Sequence, residues 1–299
     1  MNMMPLREGV GASTVVLPPG NWLLLIDFLC QQFPAIPRET WAQRMQDGLV
    51  CNSDGIPLGS QSPYRAHSTV HYYRAVANET RIPFEARILF QDDCLIAADK
   101  PHFLPVMPAG KYLQETLLVR LKRETGIETL SPIHRLDRDT AGIVLFCINP
   151  AQRGHYQALF QRRAVRKIYQ PIAPNCPDGI LPVTRRSRLA ESGNFMQMHE
   201  VDGPWNAETR VSLLRKGLHN SLYQLEPVTG KKHQLRVHMQ ALGIPLLNDN
   251  IYPVFRSERF DCLQDPLQLL ASDIEFTDPI SGHKRHFSSQ QTLAAEALL

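Results

Sequence analysis

His134-Arg135-Leu136-Asp137-Arg138-Asp139-Thr140-Ala141-Gly142 is the stretch on which the reading of this chain turns. Five of its first six residues are ionisable, and it runs straight into Ile143-Val144-Leu145-Phe146-Cys147-Ile148, an apolar run of strand length. Charges are thus crowded at the mouth of a buried strand. A carboxylate there is partly desolvated, which raises its pKa, while a neighbouring arginine restores the ionised form. An ionised carboxylate held in place can act as a nucleophile or a base. The same charges would also suit a solvated loop with ordinary ion pairs, and the segment alone does not choose.

Three further polar segments lie beside runs of strand character. They are Asp99-Lys100-Pro101-His102-Phe103, Arg166-Lys167-Ile168-Tyr169, and Gly230-Lys231-Lys232-His233-Gln234-Leu235-Arg236-Val237-His238. Around them, Cys94 to Pro101 reads as a buried strand ended by proline. Apolar spacing predicts a helix from Tyr112 to Arg123, stopped before Gly126. Asn149-Pro150 caps and opens another through about Arg162. Strands are expected at 167–173, 184–190, 206–216 and 220–228, then a helix at 234–242 ended by Gly243. A last pair at 269–277 and 283–288 flanks Asp278-Pro279-Ile280-Ser281-Gly282. Strands in runs with helices interspersed argue for an α+β fold with a mixed sheet.

The first 80 residues have a different character. An irregular lead-in to Gly20 is followed by helical spacing over 21–33 and by a second helix from Pro37 to Met45, stopped by Gly48. Leu49-Val50-Cys51 and His71 to Val76 read as short strands, with a tight turn at Asp54-Gly55. The chain therefore divides into a small α/β domain over 1–80 and a larger domain over 81–299.

Composition narrows the classes. Hydrophobic residues at 43% fit a folded soluble protein, and 32 Lys and Arg against 29 Asp and Glu give a net charge of only +3. A polyanion would need a local basic face. Arg162, Arg163, Arg166 and Lys167, then Arg185, Arg186 and Arg188, then Lys231 and Lys232 could supply it. The six cysteines include no C-x-x-C pair, which suits reduced thiols in the cytoplasm. The N-terminus lacks the pattern of a signal peptide. Its most apolar early run, Trp22 to Leu29, is far shorter than the roughly 20 residues of a membrane span. His233 and His238 stand five apart, about 140° apart around a helix, so they do not form the four-residue pair of a metal site. No metal is expected.

Taken in order, the four segments resemble the RluA family of RNA pseudouridine synthases over roughly residues 90–288. The resemblance rests on His134-Arg135-Leu136-Asp137 followed by Thr140-Ala141-Gly142, on Lys167-Ile168-Tyr169, on Gly230 through His238, and on the closing Asp278 to Gly282 turn. It departs at Phe103, where the family's Lys-Pro-x-Gly has glycine, and at Asn248-Asp249-Asn250-Ile251-Tyr252-Pro253, where the usual form is Gly-Asp-x-x-Tyr-Gly. Both departures are expected to spare the residues of the chemistry. The first 80 residues resemble the S4 RNA-binding fold through Phe33-Pro34, Arg38, Arg44, Gly48 and Asp54-Gly55.

The resemblance implies a pseudouridine synthase fold with a largely antiparallel central sheet. It implies a monomeric, cofactor-free isomerase that acts on ribosomal or transfer RNA and binds no membrane. Asp137 would be its essential residue, and Arg236 would hold that carboxylate in bidentate geometry. Tyr169 would stack on the uracil and accept or relay a proton. Arg135 would help hold the extruded nucleotide, and His134, Lys167, His233 and Gln234 would also lie against the substrate. Two other classes stay open on residues alone. One is an RNA-binding protein whose catalysis has lapsed; the other is a two-carboxylate hydrolase with Asp139 as second acid.

Overall fold

The computed structural model describes residues 4–74, 76, 79–193, 196–259 and 262–299. They fall into two compact units. One spans Met1–Thr80 with Pro108–Glu115 and Val119–Glu128; the other holds Arg81–Met107, Thr116–Leu118 and Thr129–Leu299.

The N-terminal unit runs β1 (Ser13–Val16), α1 (Leu25–Gln32), α2 (Arg38–Gln46), β2 (Val50–Asn52), β3 (Thr69–Tyr72). The strands form an antiparallel sheet in the order β1-β3-β2. Its core gathers Leu25, Ile26, Phe28, Leu29, Trp41, Met45, Val50 and Val70. The lead-in is not wholly irregular. Ser13-Thr14-Val15-Val16 is rich in β-branched residues and pairs with β3 along its whole length. The strand expected at 71–76 lies earlier, at Thr69–Tyr72; of the expected span, Ala75 is outside the described residues. Arg38 is paired with Asp27 at 2.6 Å, and Arg44 lies over the Trp41 ring, so both serve the packing of this unit.

The larger unit is built on β4 (Arg87–Gln91), β5 (Leu95–Lys100), β6 (Ser131–Pro132), β7 (Ala141–Cys147), β8 (Arg166–Pro174), β9 (Val183–Glu191), β10 (Met198–Val201), β11 (Ala207–Lys216), β12 (Asn220–Pro227), β13 (Leu269–Thr277) and β14 (Lys284–Ser288). These eleven strands form one sheet in the order β10-β9-β11-β12-β8-β13-β7-β5-β4, with β14 added on β13 and β6 on β7. Every pairing is antiparallel except β13 with β7. Strands β5 and β7 are buried along their whole length, as their continuous apolar sequences require of central strands.

The parallel crossing depends on a glycine. Gly142 lies opposite Ala271 with φ 114°, and a Cβ there would come within 2.2 Å of the Ala271 carbonyl oxygen. The chain therefore leaves the polar segment at 134–140 and enters the sheet through a position that only glycine fills.

Among the described residues three further α-helices follow: α3 (Leu117–Thr125), α4 (Arg153–Gln161) and α5 (Gln234–Ala241). The first two start later than expected. Before α3, the amides of Leu113, Gln114 and Glu115 all donate to the Glu79 carboxylate, which holds that stretch out of helical form. Before α4, Asn149 takes the Ala151 amide on its side chain and the Gln152 amide on its carbonyl, making turns first. Strands β6 and β10, of two and four residues, were not expected, nor was β4. Among the described residues no helix is long and apolar enough to cross a membrane.

Candidate active site

The segment at 134–140 sits at the entrance to β7 and is tied down from several sides. Lys100, fully buried at the end of β5, donates to the carbonyls of Pro101 and Leu104 at 2.9 Å and of Arg138 at 3.0 Å. Burial pulls its pKa down to about 7, against the pull of Asp139 and Asp137. His102 donates through Nδ1 to the Asp139 carbonyl at 2.6 Å, Arg138 pairs with the Asp139 carboxylate at 2.8 Å, and the Thr140 amide closes a turn onto the Asp137 carbonyl. These contacts hold the backbone from Asp137 to Thr140.

Asp137 opens into a cleft of about 860 Å³ lined by the 133–140 segment, β8, the 227–233 loop and the start of α5. Its side chain is about one quarter exposed, and it is the only carboxylate lining the cleft among the described residues. One of its oxygens, Oδ2, faces two nitrogens: Nη1 of Arg236 at 3.8 Å and Nε2 of His233 at 3.7 Å. The expected bidentate grip of Arg236 on Asp137 is not what the structure shows. Arg236 gives Nε and Nη2 to Asp249, at 2.8 and 2.5 Å, and only Nη1 is left to face Asp137. A fully buried guanidinium needs a buried counter-charge at hydrogen-bonding distance, and Asp249, itself buried, provides it.

Tyr169 reaches the same cleft from β8. Burial, with a smaller push from Asp137, raises its pKa well above the ordinary tyrosine value, so the hydroxyl keeps its proton at neutral pH. It can donate or pass on a proton but is no base. Lys167 lines the cleft two residues earlier, and burial lowers its pKa. Arg135 is exposed at the rim. Among the described residues no ion pair or hydrogen bond occupies its guanidinium, so the structural ion pair that could have explained it is absent.

Two residues expected to touch substrate line the cleft and also bond inward to the fold. Gln234 is saturated by protein. Its carbonyl oxygen accepts from Thr229 Oγ1 at 2.7 Å and the Lys231 amide at 3.1 Å, and its amide donates to the Glu208 carbonyl and Thr209 Oγ1, both at 2.9 Å. His134 accepts the Leu145 amide on Nε2 at 3.1 Å and stacks on Phe160. It continues the ladder that Ile133 begins by donating to the Leu145 carbonyl. Burial keeps it neutral, with its pKa lowered to about 3. His238 is likewise locked, between Thr209 and Ser187.

Much of the basic sequence is also spoken for. Arg166 pairs with Glu226 and Glu275, Arg185 with Glu200 and Arg186 with Glu208. Arg135, Arg163, Lys167, Lys231 and Lys232 line the cleft itself. Asp139 is committed to Arg138 and buried, so it is not placed to serve as the acid of a two-carboxylate hydrolase. Among the described residues no three His, Cys, Asp or Glu side chains converge as a metal cage.

Sequence reasoning missed Asp249 and Tyr252. Their segment was read only for its departures from the family's glycines, whereas Asp249 holds Arg236, and the Tyr252 hydroxyl lies 3.1 Å from Nδ1 of His233. The Asp-x-x-Tyr spacing was the available signal. At two of the three positions where the family pattern has glycine and this chain does not, Phe103 and Asn248 adopt left-handed φ of 66° and 60°.

A family model for RNA pseudouridylate synthase matches residues 94–241, which include Asp137, Tyr169 and Arg236. An RNA pseudouridine synthase of Synechocystis is 29% identical over 76% of this chain and 79% of its own length. The ribosomal large subunit pseudouridine synthase C of Vibrio cholerae is 32% identical over 66% of this chain and 63% of its own. The solved structure of human RNA pseudouridylate synthase domain containing 1 shares the fold, with a TM-score of 0.57 at 21% identity over 69% of this chain and 84% of that one. Over residues 94–241 the chain is thus similar to RNA pseudouridine synthases.

Proposed function

We propose that the enzyme isomerises specific uridines of ribosomal or transfer RNA, with Asp137 as its essential residue. The observation that carries this reading is the solitary carboxylate: Asp137 alone lines the cleft among the described residues, with Arg236 and His233 on one side of it. The reaction breaks the bond from N1 to C1′, turns the base and joins C5 to C1′. The C5 proton leaves and N1 gains one, so no electron or outside group is consumed. One ionised carboxylate able to attack or to take a proton suffices to start it.

The remaining residues divide the work. In this reading Tyr169, which lines the cleft with its hydroxyl protonated, packs against the base and passes on a proton. The target base must leave its helix at a cost of a few kcal/mol. Arg135 at the rim, with Arg163, Lys167 and Lys231 around the cleft, is suited to holding the backbone of the extruded nucleotide. The name of the Vibrio cholerae relative supports ribosomal RNA as a substrate. Six free thiols fit a reducing compartment, which supports a cytoplasmic setting.

The test is turnover of RNA carrying tritium at uridine C5, because the isomerisation releases that label to water. Ribosomal and transfer RNA are assayed separately. Wild-type protein releases tritium from at least one, and Asp137→Asn from neither. Release by Asp137→Asn at the wild-type rate would remove Asp137 from the mechanism. Binding without release by the wild type would instead support an RNA-binding protein on this fold.

A further inference from the structure

Tyr252 lies beyond α5, 4% exposed, and touches both groups that face Asp137. Its hydroxyl is 2.7 Å from the Met198 amide and 3.1 Å from Nδ1 of His233. Its ring lies 5.4 Å from the Arg236 guanidinium and stands edge-on to the His233 imidazole. His233 itself sits at the start of α5 with φ 54°, a left-handed conformation that a residue with a Cβ enters only when its surroundings impose it.

The hydrogens of this chain can be assigned. The Met198 amide can only donate, so the Tyr252 oxygen accepts from it. Burial takes the His233 pKa down to about 4, so at neutral pH the ring carries one proton, on Nδ1 or on Nε2. A proton on Nδ1 would turn the bare lone pair of Nε2 toward the Asp137 carboxylate, 3.7 Å away. A proton on Nε2 turns an N–H toward it and lets Nδ1 accept from the Tyr252 hydroxyl. Only the second arrangement is attractive at both ends.

We propose that Tyr252 is a positioning residue of the isomerase. Its hydroxyl fixes the tautomer of His233, and its ring supports Arg236, so that both direct N–H groups at one oxygen of Asp137 and leave the other for the substrate. The inference rests on the reading of Asp137 as the essential carboxylate. It adds a residue outside the cleft lining and gives the two carboxylate oxygens different tasks.

The test uses the full-length protein. Long-range nitrogen–proton NMR of the imidazoles, with the His233 signal identified by its loss in His233→Gln, reports the tautomer of the wild type without any change at Tyr252. The result expected is the form protonated on Nε2. In Tyr252→Phe, which keeps the ring and removes the hydroxyl, His233 becomes a mixture of tautomers. The kcat for tritium release then falls about tenfold, while KM for RNA stays within twofold. A wild-type His233 protonated on Nδ1, or a Tyr252→Phe enzyme with wild-type kcat, would overturn the proposal. Asp137→Asn is assayed alongside. If it turns over normally, the reading of Asp137 has failed, and that outcome is distinct from either result for Tyr252.

Discussion

Asp249 takes two hydrogen bonds from Arg236, from Nε at 2.8 Å and from Nη2 at 2.5 Å, and so decides which nitrogen of Arg236 is left for Asp137. The same carboxylate accepts the amides of Ile251 and Tyr252, so its own position is fixed by backbone. Removing its charge leaves a fully buried guanidinium without its closest partner. Loss of one member of such a pair costs about 3–5 kcal/mol. A shift of about 1 Å in a group that faces the reacting centre costs roughly a hundredfold in rate. Asp249→Asn is therefore expected to lower the melting temperature sharply and, in the protein that still folds, to reduce kcat about a hundredfold. Arg236→Lys should do the same, because a single ammonium cannot keep two bonds to Asp249 and still face Asp137. Thermal melts together with tritium-release kinetics measure both effects.

Gln234 and Arg135 were both expected to contact substrate, and the structure separates them. Gln234 spends its amide on four partners inside the protein, whereas Arg135 spends its guanidinium on none among the described residues. Gln234→Leu should therefore destabilise the fold by roughly 2–4 kcal/mol through orphaned buried groups, with KM for RNA unchanged in the folded fraction. Arg135→Ala should raise KM about tenfold, more so at low salt, and leave the melting temperature in place. Exchanged phenotypes would reverse the two assignments.

Acid should unfold this protein through its buried histidines. Burial lowers the pKa values of His102, His233 and His238 to about 4 and that of His134 to about 3, against 6.5 for the ordinary side chain. Below pH 6.5 the unfolded chain takes up protons that the folded chain refuses. The contribution of these histidines is thus full above pH 6.5 and is lost as pH falls toward 4. Each histidine contributes up to about 1.4 kcal/mol per pH unit across that window. Four together approach about 5.6 kcal/mol per unit, while a typical domain has only about 5–15 kcal/mol in all. The melting temperature measured from pH 7 to pH 4 should fall steeply below about 6. A flat profile down to pH 5 would show that these rings are not held neutral by the fold.

Legibility from sequence followed the range of the interactions. The central strands and α5 were readable because their apolar runs and the stop at Gly243 are local signals. The start of α3 was not, because Glu79, more than thirty residues away, claims the amides that would have opened a longer helix. At the site, Asp137, Tyr169 and Arg236 stood out as a pattern of residue types. The partner of Arg236 could not be read that way, since a bidentate arginine suits any carboxylate, and only the fold brings Asp249 closer than Asp137. The inward bonds of Gln234 and His134 were unreadable for the same reason: a polar side chain in a motif gives no sign of whether its bonds point inward.

Phe103 offers a test in which strain and burial oppose each other. It occupies a left-handed conformation, φ 66°, where the family pattern has glycine, yet it is 3% exposed and packs 5.7 Å from Phe84 between ring centroids. A side chain in that conformation costs about 1–2 kcal/mol, which glycine would recover. Removing a buried phenylalanine costs about 3–5 kcal/mol, which neither glycine nor alanine avoids. Phe103→Gly should therefore destabilise by a net of about 2–3 kcal/mol. Phe103→Ala should be worse by about 1 kcal/mol, since it loses the ring and keeps the strain. In most positions of a folded chain alanine is the better tolerated of the two, so the order of their denaturation midpoints is diagnostic. Alanine above glycine would mean that the backbone at 103 relaxes once the ring is gone. Glycine above alanine, with both below the wild type, would mean that the ring holds a strained backbone in place three residues beyond Lys100, whose ammonium ties this turn to the segment carrying Asp137.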